Sequence, residues 1–207
     1  DIRVHSGVAT VGREIVTNTA HRYNWVQLAG AIQHPEKNNI QDLSKATGDK
    51  IGIDDASVLL YPCDGYGNPE LLRDVIEREN IDALFLITDP RYFEWLFAME
   101  NEIRSSIPIA YLNIWDDLPA PMYNREFYDS CDALFGISKQ TKNINEMVLG
   151  EKRCKNKVIK YIPHGLDHKI FSPVNKFGEE YLKLKNSLEK DGKMDFKLLY
   201  NSRNIRR

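Results

Sequence analysis

The sequence has little cysteine and no long apolar run, and both absences narrow the class of protein. Its 207 residues include three cysteines, Cys63, Cys131 and Cys154, and no two of them have C-x-x-C spacing. Neither a disulfide framework nor a zinc knuckle is expected, and reduced thiols favour a cytoplasmic location. No apolar run approaches the roughly 18 residues of a membrane helix, so no segment is predicted to span a bilayer.

A large overall charge is also absent, but the two ends of the chain differ. Residues 1–150 hold 13 basic and 23 acidic residues, whereas residues 151–207 hold 15 and 7, giving net charges of −10 and +8. The basic end favours either a solvated helix and linker or contact with phosphate-bearing ligands. We expect no nucleic-acid partner, while the basic segment 152–157 leaves peripheral membrane contact open.

Metal ligation is not expected either. His164 and His168 are four residues apart, a spacing that could bind one metal from a helix. Pro163 and Gly165 disfavour a helix there.

Short apolar runs alternate with helical patterns along most of the chain. Near-continuous apolar runs are typical of strands buried on both faces of a parallel sheet. The alternation predicts a Rossmann-like, doubly wound α/β fold with a mostly parallel sheet. Strands are expected at 25–32, 56–61 (ended by Pro62), 82–88, 107–115, 133–138 and 157–162, and helices after Gly7, after Asn68-Pro69 and along the apolar stripe from Phe93 to Ile103.

The composition of the sequence changes after Pro173. Residues 1–173 are expected to form one domain, residues 174–195 a helical linker, and residues 196–207 the first strand of a second domain. The absence of an initial Met and the end in a polar turn suggest a piece of a longer protein.

Ser6-Gly7-Val8 is expected to form a glycine turn that opens the first helix. Such a turn presents free backbone N–H groups and suits phosphate. Gly7 and Gly12 have Walker-loop spacing, but Arg13 and Glu14 replace the required Lys and Ser/Thr. A plain strand-to-helix turn remains the alternative to a phosphate site.

Polar residues follow several of the predicted strands. Asp116 and Asp117 come directly after one strand, and Asp89 and Arg91 after the strand before it. Ligands of open α/β sheets bind at this edge, although helix capping explains such residues equally well. The nearby aromatic residues suit either sugar stacking or the core, and they are Tyr92, Phe93, Trp95 and Trp115.

Several segments resemble the GT-B glycosyltransferases of the family 4 type. Ile162-Pro-His-Gly-Leu-Asp167 followed by Phe171-x-Pro173 is similar to the I-P-N-G-V-D and F-x-P signature of that family. The weaker resemblances occur in the family's order at Ser6–Val8, Asn113–Leu118, Gly136–Lys139 and Leu199–Arg203.

The resemblance implies an N-terminal acceptor-side domain of a retaining, metal-independent sugar transferase. It implies a nucleotide-diphosphate sugar as donor, no cofactor, and a glycan, lipid or protein as acceptor. It places Asp116 and Asp117 at the catalytic position, donor contacts at Ser6, Gly7, Val8, His164, Gly165 and Arg203, and other cleft contacts at Asp89, Arg91, Ser138 and Lys139.

Three positions depart from the family pattern. Asp116 stands where the family has histidine, His164 where it has asparagine, and Ser202 where it has glycine. These departures keep two alternatives open, a non-catalytic sugar- or nucleotide-binding module and a GT-B sugar-nucleotide epimerase.

Overall fold

The apolar runs of the sequence form a mainly parallel set of strands. The computed structural model describes residues 1–189. Within them lie β1 (Trp25–Ala31), β2 (Gln41–Asp42), β3 (Val58–Asp64), β4 (Leu84–Ile87), β5 (Ile109–Asn113), β6 (Ala133–Gly136) and β7 (Val158–Tyr161). Strands β4, β5, β6 and β7 pair in that order in an all-parallel sheet. Strand β1 pairs with β3 in parallel, and β2 adds a short antiparallel edge to β3.

Helices connect these strands, as the alternating pattern predicts. They are α1 (Gly7–Thr19), α2 (Ser44–Ile51), α3 (Pro69–Glu79), α4 (Glu94–Phe97), α5 (Glu100–Arg104), α6 (Arg125–Asp129), α7 (Lys139–Leu149), α8 (Glu151–Cys154) and α9 (Glu179–Glu189). The Asn68 side chain caps α3 by accepting the Leu71 N–H at 2.9 Å, and Pro69 is the first helical residue. The expected α/β class is therefore confirmed, with a parallel sheet compatible with a Rossmann-like fold.

The core lies on both faces of the parallel sheet. Ile109 and Tyr111 of β5 and Leu134 of β6 are almost inaccessible to solvent. Helix α7 packs Ile144 and Val148 into the same cluster. A second cluster gathers around Val58 and Leu60 of β3.

Two details of the sequence prediction are wrong. The strand expected to end before Pro62 continues to Asp64. Proline is tolerated there because β2 pairs with β3 only at Leu59 and Leu60, which leaves this part of β3 without an antiparallel neighbour.

The apolar stripe from Phe93 to Ile103 does not form one helix. It is divided into a 3₁₀ turn at Pro90–Phe93 and the short helices α4 and α5. Its apolar residues are nevertheless buried, since the segment wraps over the large core cluster.

The chain divides into two compact units, Asp1–His164 and Gly165–Arg207. In the second unit, Asp167 closes a turn by accepting the Lys169 N–H at 2.8 Å, and α9 forms within the predicted linker. The strand expected at 196–200 and Arg203 lie outside the described residues.

Candidate functional site

The polar residues predicted as a site follow the carboxyl ends of the parallel strands. Because these strands run in one direction, the loops after β4, β5, β6 and β7 all leave the same edge of the sheet. Helix α1 runs back along β1, since Thr19 at its end accepts the Trp25 indole N–H at 3.0 Å. The N-terminus of α1 therefore lies toward the carboxyl end of β1.

Ser6 and Gly7 begin α1 in different ways. The Ser6 hydroxyl accepts the Ala9 N–H at 3.1 Å and is the N-cap of the helix. Gly7 is the first helical residue, and a Cβ atom built on it would meet no atom within 4 Å. Neither backbone conformation nor packing therefore requires glycine at this position. Val8, the next residue, has an exposed side chain.

Arg13 does not take the place of a phosphate-binding lysine in this turn. Its guanidinium donates to the Ile2 carbonyl at 2.9 Å and to the Thr10 hydroxyl at 3.2 Å. These bonds hold the group against its own helix and the N-terminal segment, which agrees with the departure from a Walker loop.

Asp89 and Arg91 form a bidentate ion pair after β4. The Arg91 Nε donates to Asp89 Oδ1 at 2.9 Å, and Nη2 donates to Oδ2 at 2.5 Å. These hydrogen bonds lower the pKa of Asp89 and raise that of Arg91. Asp89 also caps the following 3₁₀ turn through the Arg91 N–H. The pair is thus fixed and electrically neutral.

The residue before this pair has an unusual backbone conformation. Thr88 has a φ of 99°, a region that β-branched residues rarely occupy. The buried Tyr111 hydroxyl donates to the Thr88 carbonyl at 2.6 Å and holds it in place. Such strain is typical of functional sites, where surrounding contacts impose it.

The loop after β5 carries the two candidate catalytic acids. The Trp115 carbonyl accepts the Thr141 hydroxyl at 2.8 Å, and the Asp116 carbonyl accepts the Gln140 side chain at 3.2 Å. These bonds join the loop to the start of α7. The Asp117 carboxylate accepts the Leu118 N–H at 2.8 Å, whereas that of Asp116 is exposed and has no hydrogen-bond partner among residues 1–189.

A buried polar network around Asn113 holds the loop after β5 in place. The Asn113 side chain donates to the Tyr128 hydroxyl at 2.8 Å and to Asn145 Oδ1 at 2.5 Å, and it accepts the Trp115 N–H at 3.0 Å. Burial raises the pKa of both Tyr111 and Tyr128, so both phenols remain protonated.

The loop after β6 leads directly into α7. The Ser138 hydroxyl caps α7 by accepting the Thr141 N–H at 2.9 Å, and Lys139 is the exposed first residue of the helix. A Cβ on Gly136 would lie 2.6 Å from the Lys142 backbone nitrogen, so glycine is needed for this close approach. The N-terminus of α7 is thereby held beside the Asp116 loop.

The remaining predicted donor contacts are not brought together within one described unit. His164 is exposed and ends the first unit, Gly165 begins the second, and Arg203 lies outside the described residues.

Of the four candidate aromatic residues, Tyr92 alone is well exposed. Phe93 is buried, and Trp95 and Trp115 are partly buried against the core. The sequence reasoning missed Tyr66, whose ring stacks on Tyr92 with centroids 4.6 Å apart. The Gly-Tyr-Gly sequence around Tyr66, directly after a strand, is the signal that could have indicated it.

The sequence reasoning also missed Tyr123 and the contact between His34 and Asp1. The Tyr123 ring lies 6.0 Å from that of Trp115, and its phenol is near enough to Arg91 to help raise the Arg91 pKa. After β1, the buried His34 Nε2 lies 3.1 Å from the Asp1 carboxylate, which attaches the N-terminal segment to this edge.

Comparison with protein-family models, curated proteins and solved structures gave no match to this chain. Among the described residues, no helix is long and apolar enough to cross a membrane. The same residues contain no group of three His, Cys, Asp or Glu side chains arranged to hold a metal.

Proposed function

We propose that this chain is part of a retaining GT-B glycosyltransferase that uses a nucleotide-diphosphate sugar. In this proposal residues 1–173 are the Rossmann-like acceptor-side domain, residues 174–195 are a helical linker, and residues 196–207 begin the donor-binding domain. The proposal rests on the resemblance of the sequence motifs and on the parallel sheet, in which Asp116 and Asp117 follow β5 and Ser138 and Lys139 follow β6.

The observation that supports it best is the open space at Gly7. Glycine usually serves a positive φ or a crowded contact, and neither exists here. A ligand approaching the N-terminus of α1 supplies the missing reason, because a side chain would keep it from the free N–H groups. A diphosphate suits this position, since the helix dipole favours negative charge there.

The proposed chemistry depends on positioning and electrostatics, with no metal. The leaving diphosphate would be stabilised by the N-terminus of α1 and by Arg203 from the donor-binding domain. Asp116 would lie near the transferred sugar. We assign it no general-base role, because the family has histidine at this position.

A non-catalytic binding module is the second candidate. It is favoured by the exposed carboxylate of Asp116, which accepts no hydrogen bond from residues 1–189 and occupies the position where the family has histidine.

The complete protein should be incubated with UDP-, GDP- and ADP-sugars, and both donor binding and nucleotide release with candidate acceptors should be measured. The proposal predicts acceptor-dependent release from one nucleotide class. Donor binding without release would support the binding module instead. No binding and no release from any donor would refute both.

A further inference from the structure

We infer that Tyr66 and Tyr92 form a platform that binds a neutral saccharide, which under the proposed function is the acceptor. The tyrosine platform, meaning these two stacked rings, lies at the carboxyl edge beside the Asp89–Arg91 pair. The identification of its ligand as the acceptor rests on the proposed function, whereas saccharide binding itself does not.

The two rings are held in parallel yet remain open to solvent. Their planes differ by 8°, their centroids are 4.6 Å apart, and the two residues are 42% and 54% exposed. The buried Phe93 ring meets Tyr66 edge-to-face at 5.4 Å and supports the stack from the core side. The stack therefore offers aromatic surface to a ligand.

The backbone around Tyr66 is packed closely against β1. Gly65 and Gly67 on either side have positive φ values of 61° and 94°. A Cβ on Gly30 of β1 would lie 2.1 Å from the Gly65 carbonyl oxygen, and one on Gly67 would lie 3.0 Å from Leu28. The loop is therefore pressed against β1, and the platform needs little ordering when a ligand binds.

The polar groups beside the platform suit hydroxyl groups. Asp89 and Arg91 neutralise each other and are held by three side-chain hydrogen bonds, and the strained Thr88 lies next to them. The Tyr92 hydroxyl can both donate and accept a hydrogen bond. The Arg91 Nη1 group, which does not bond to Asp89, offers further donors, and the ion pair as a whole carries no net charge. A saccharide ring has an apolar C–H face for the face of Tyr92 that does not stack on Tyr66, and it has hydroxyls for these polar groups.

Charge argues against other ligands for aromatic platforms. Residues 1–150 have a net charge of −10, from 13 basic and 23 acidic residues. Nucleic acids and anionic lipid surfaces bind through several basic side chains, and Arg91, the cation beside the platform, is already paired with Asp89. A neutral saccharide meets no such repulsion.

The test is binding of maltotriose, cellotriose and chitotriose to the complete protein by isothermal titration calorimetry. Tyr92→Ala should bind the preferred probe about tenfold more weakly, and Tyr92→Phe should bind it within twofold of wild type. Tyr23→Ala is the matched control, because Tyr23 is 59% exposed and lies just before the start of β1, at the opposite edge. Urea unfolding should show that all three variants remain folded.

The inference is overturned if Tyr92→Ala binds as wild type does, or if wild type binds none of the probes at millimolar concentration. It is also overturned if binding to phosphatidylcholine vesicles, measured in parallel, is what depends on Tyr92. Donor binding by the same variants separates the two proposals. Tyr92-dependent saccharide binding without any donor binding would refute the glycosyltransferase alone, whereas donor use with an unchanged acceptor KM in Tyr92→Ala would refute the platform alone.

Discussion

Gly30→Ala should disturb the contact that holds the tyrosine loop against β1. Gly30 lies near the end of β1, opposite Cys63 of β3. A Cβ atom there would lie 2.1 Å from the Gly65 carbonyl oxygen and 3.5 Å from the Tyr66 Cα. The clash is with backbone, so no side-chain rotation can relieve it.

The expected loss of stability follows from the distance between the new Cβ atom and the Gly65 carbonyl oxygen. A carbon and a carbonyl oxygen approach to about 3.3 Å at closest, so the loop must move by about 1.2 Å. Its hydrogen bond from the Gly65 N–H to the Ala31 carbonyl, now 2.6 Å long, opposes that movement. Overpacking of this kind costs about 1–3 kcal/mol, which corresponds to a fall in Tm of about 2–12 °C for a unit of this size.

Thermal and urea unfolding followed by circular dichroism measure this effect. Gly7→Ala is the matched control for stability, since its Cβ would meet no atom within 4 Å. Gly30→Ala should also weaken saccharide binding, because Tyr66 moves with the loop. A Gly30→Ala protein with wild-type Tm and wild-type saccharide binding would refute the reasoning about this contact.

Two further predictions concern buried groups of the first unit. Burial raises the pKa of Cys131 from 9.0 to about 12, so its thiol ionises in the unfolded chain first and stability should fall as pH rises from about 9 to about 12. The urea midpoint of wild type should therefore fall more between pH 8 and pH 10.5 than that of Cys131→Ala, and equal changes would contradict the burial of this thiol. Asn113→Ala leaves the Tyr128 hydroxyl and Asn145 Oδ1 without its hydrogen bonds and should lower the free energy of unfolding by about 3 kcal/mol. A loss below about 1 kcal/mol would show that water replaces the side chain.

The sequence predicts the strands of this fold well because burial in a parallel sheet demands continuous apolar runs. The runs around Leu86, Tyr111 and Leu134 each form a strand at the expected place. The residue at which a strand or helix ends depends on contacts with segments that are distant in the sequence. Pro62 lies inside β3 only because β2 is too short to pair with it.

The sequence could predict site residues only where they directly follow a predicted strand or directly precede a predicted helix. Asp116 and Asp117 directly follow β5, and Ser138 directly precedes α7, so sequence order alone places them at the carboxyl edge. The side chains that hold these residues in place come from segments that are distant in the sequence. The Asn113 network joins Tyr128 and Asn145, and the stack joins Tyr66 and Tyr92, and neither pairing leaves a periodic pattern in the sequence.

The central claim, that a donor diphosphate occupies the open space at Gly7, is tested most directly by a pair of glycine variants of the complete protein. Gly7 and Gly52 both have no atom within 4 Å of a Cβ, but Gly52 has a φ of 76° and ends α2 near the start of β3. Gly7→Ala should keep or raise stability by about 0.5–1 kcal/mol and lose about 10–100-fold in transfer from the nucleotide sugar.

Gly52→Ala should lose about 1–2 kcal/mol of stability and retain wild-type transfer at a temperature where it is folded. The measurement is initial transfer rate together with urea unfolding for both variants. Full activity in a stable Gly7→Ala protein would contradict the account.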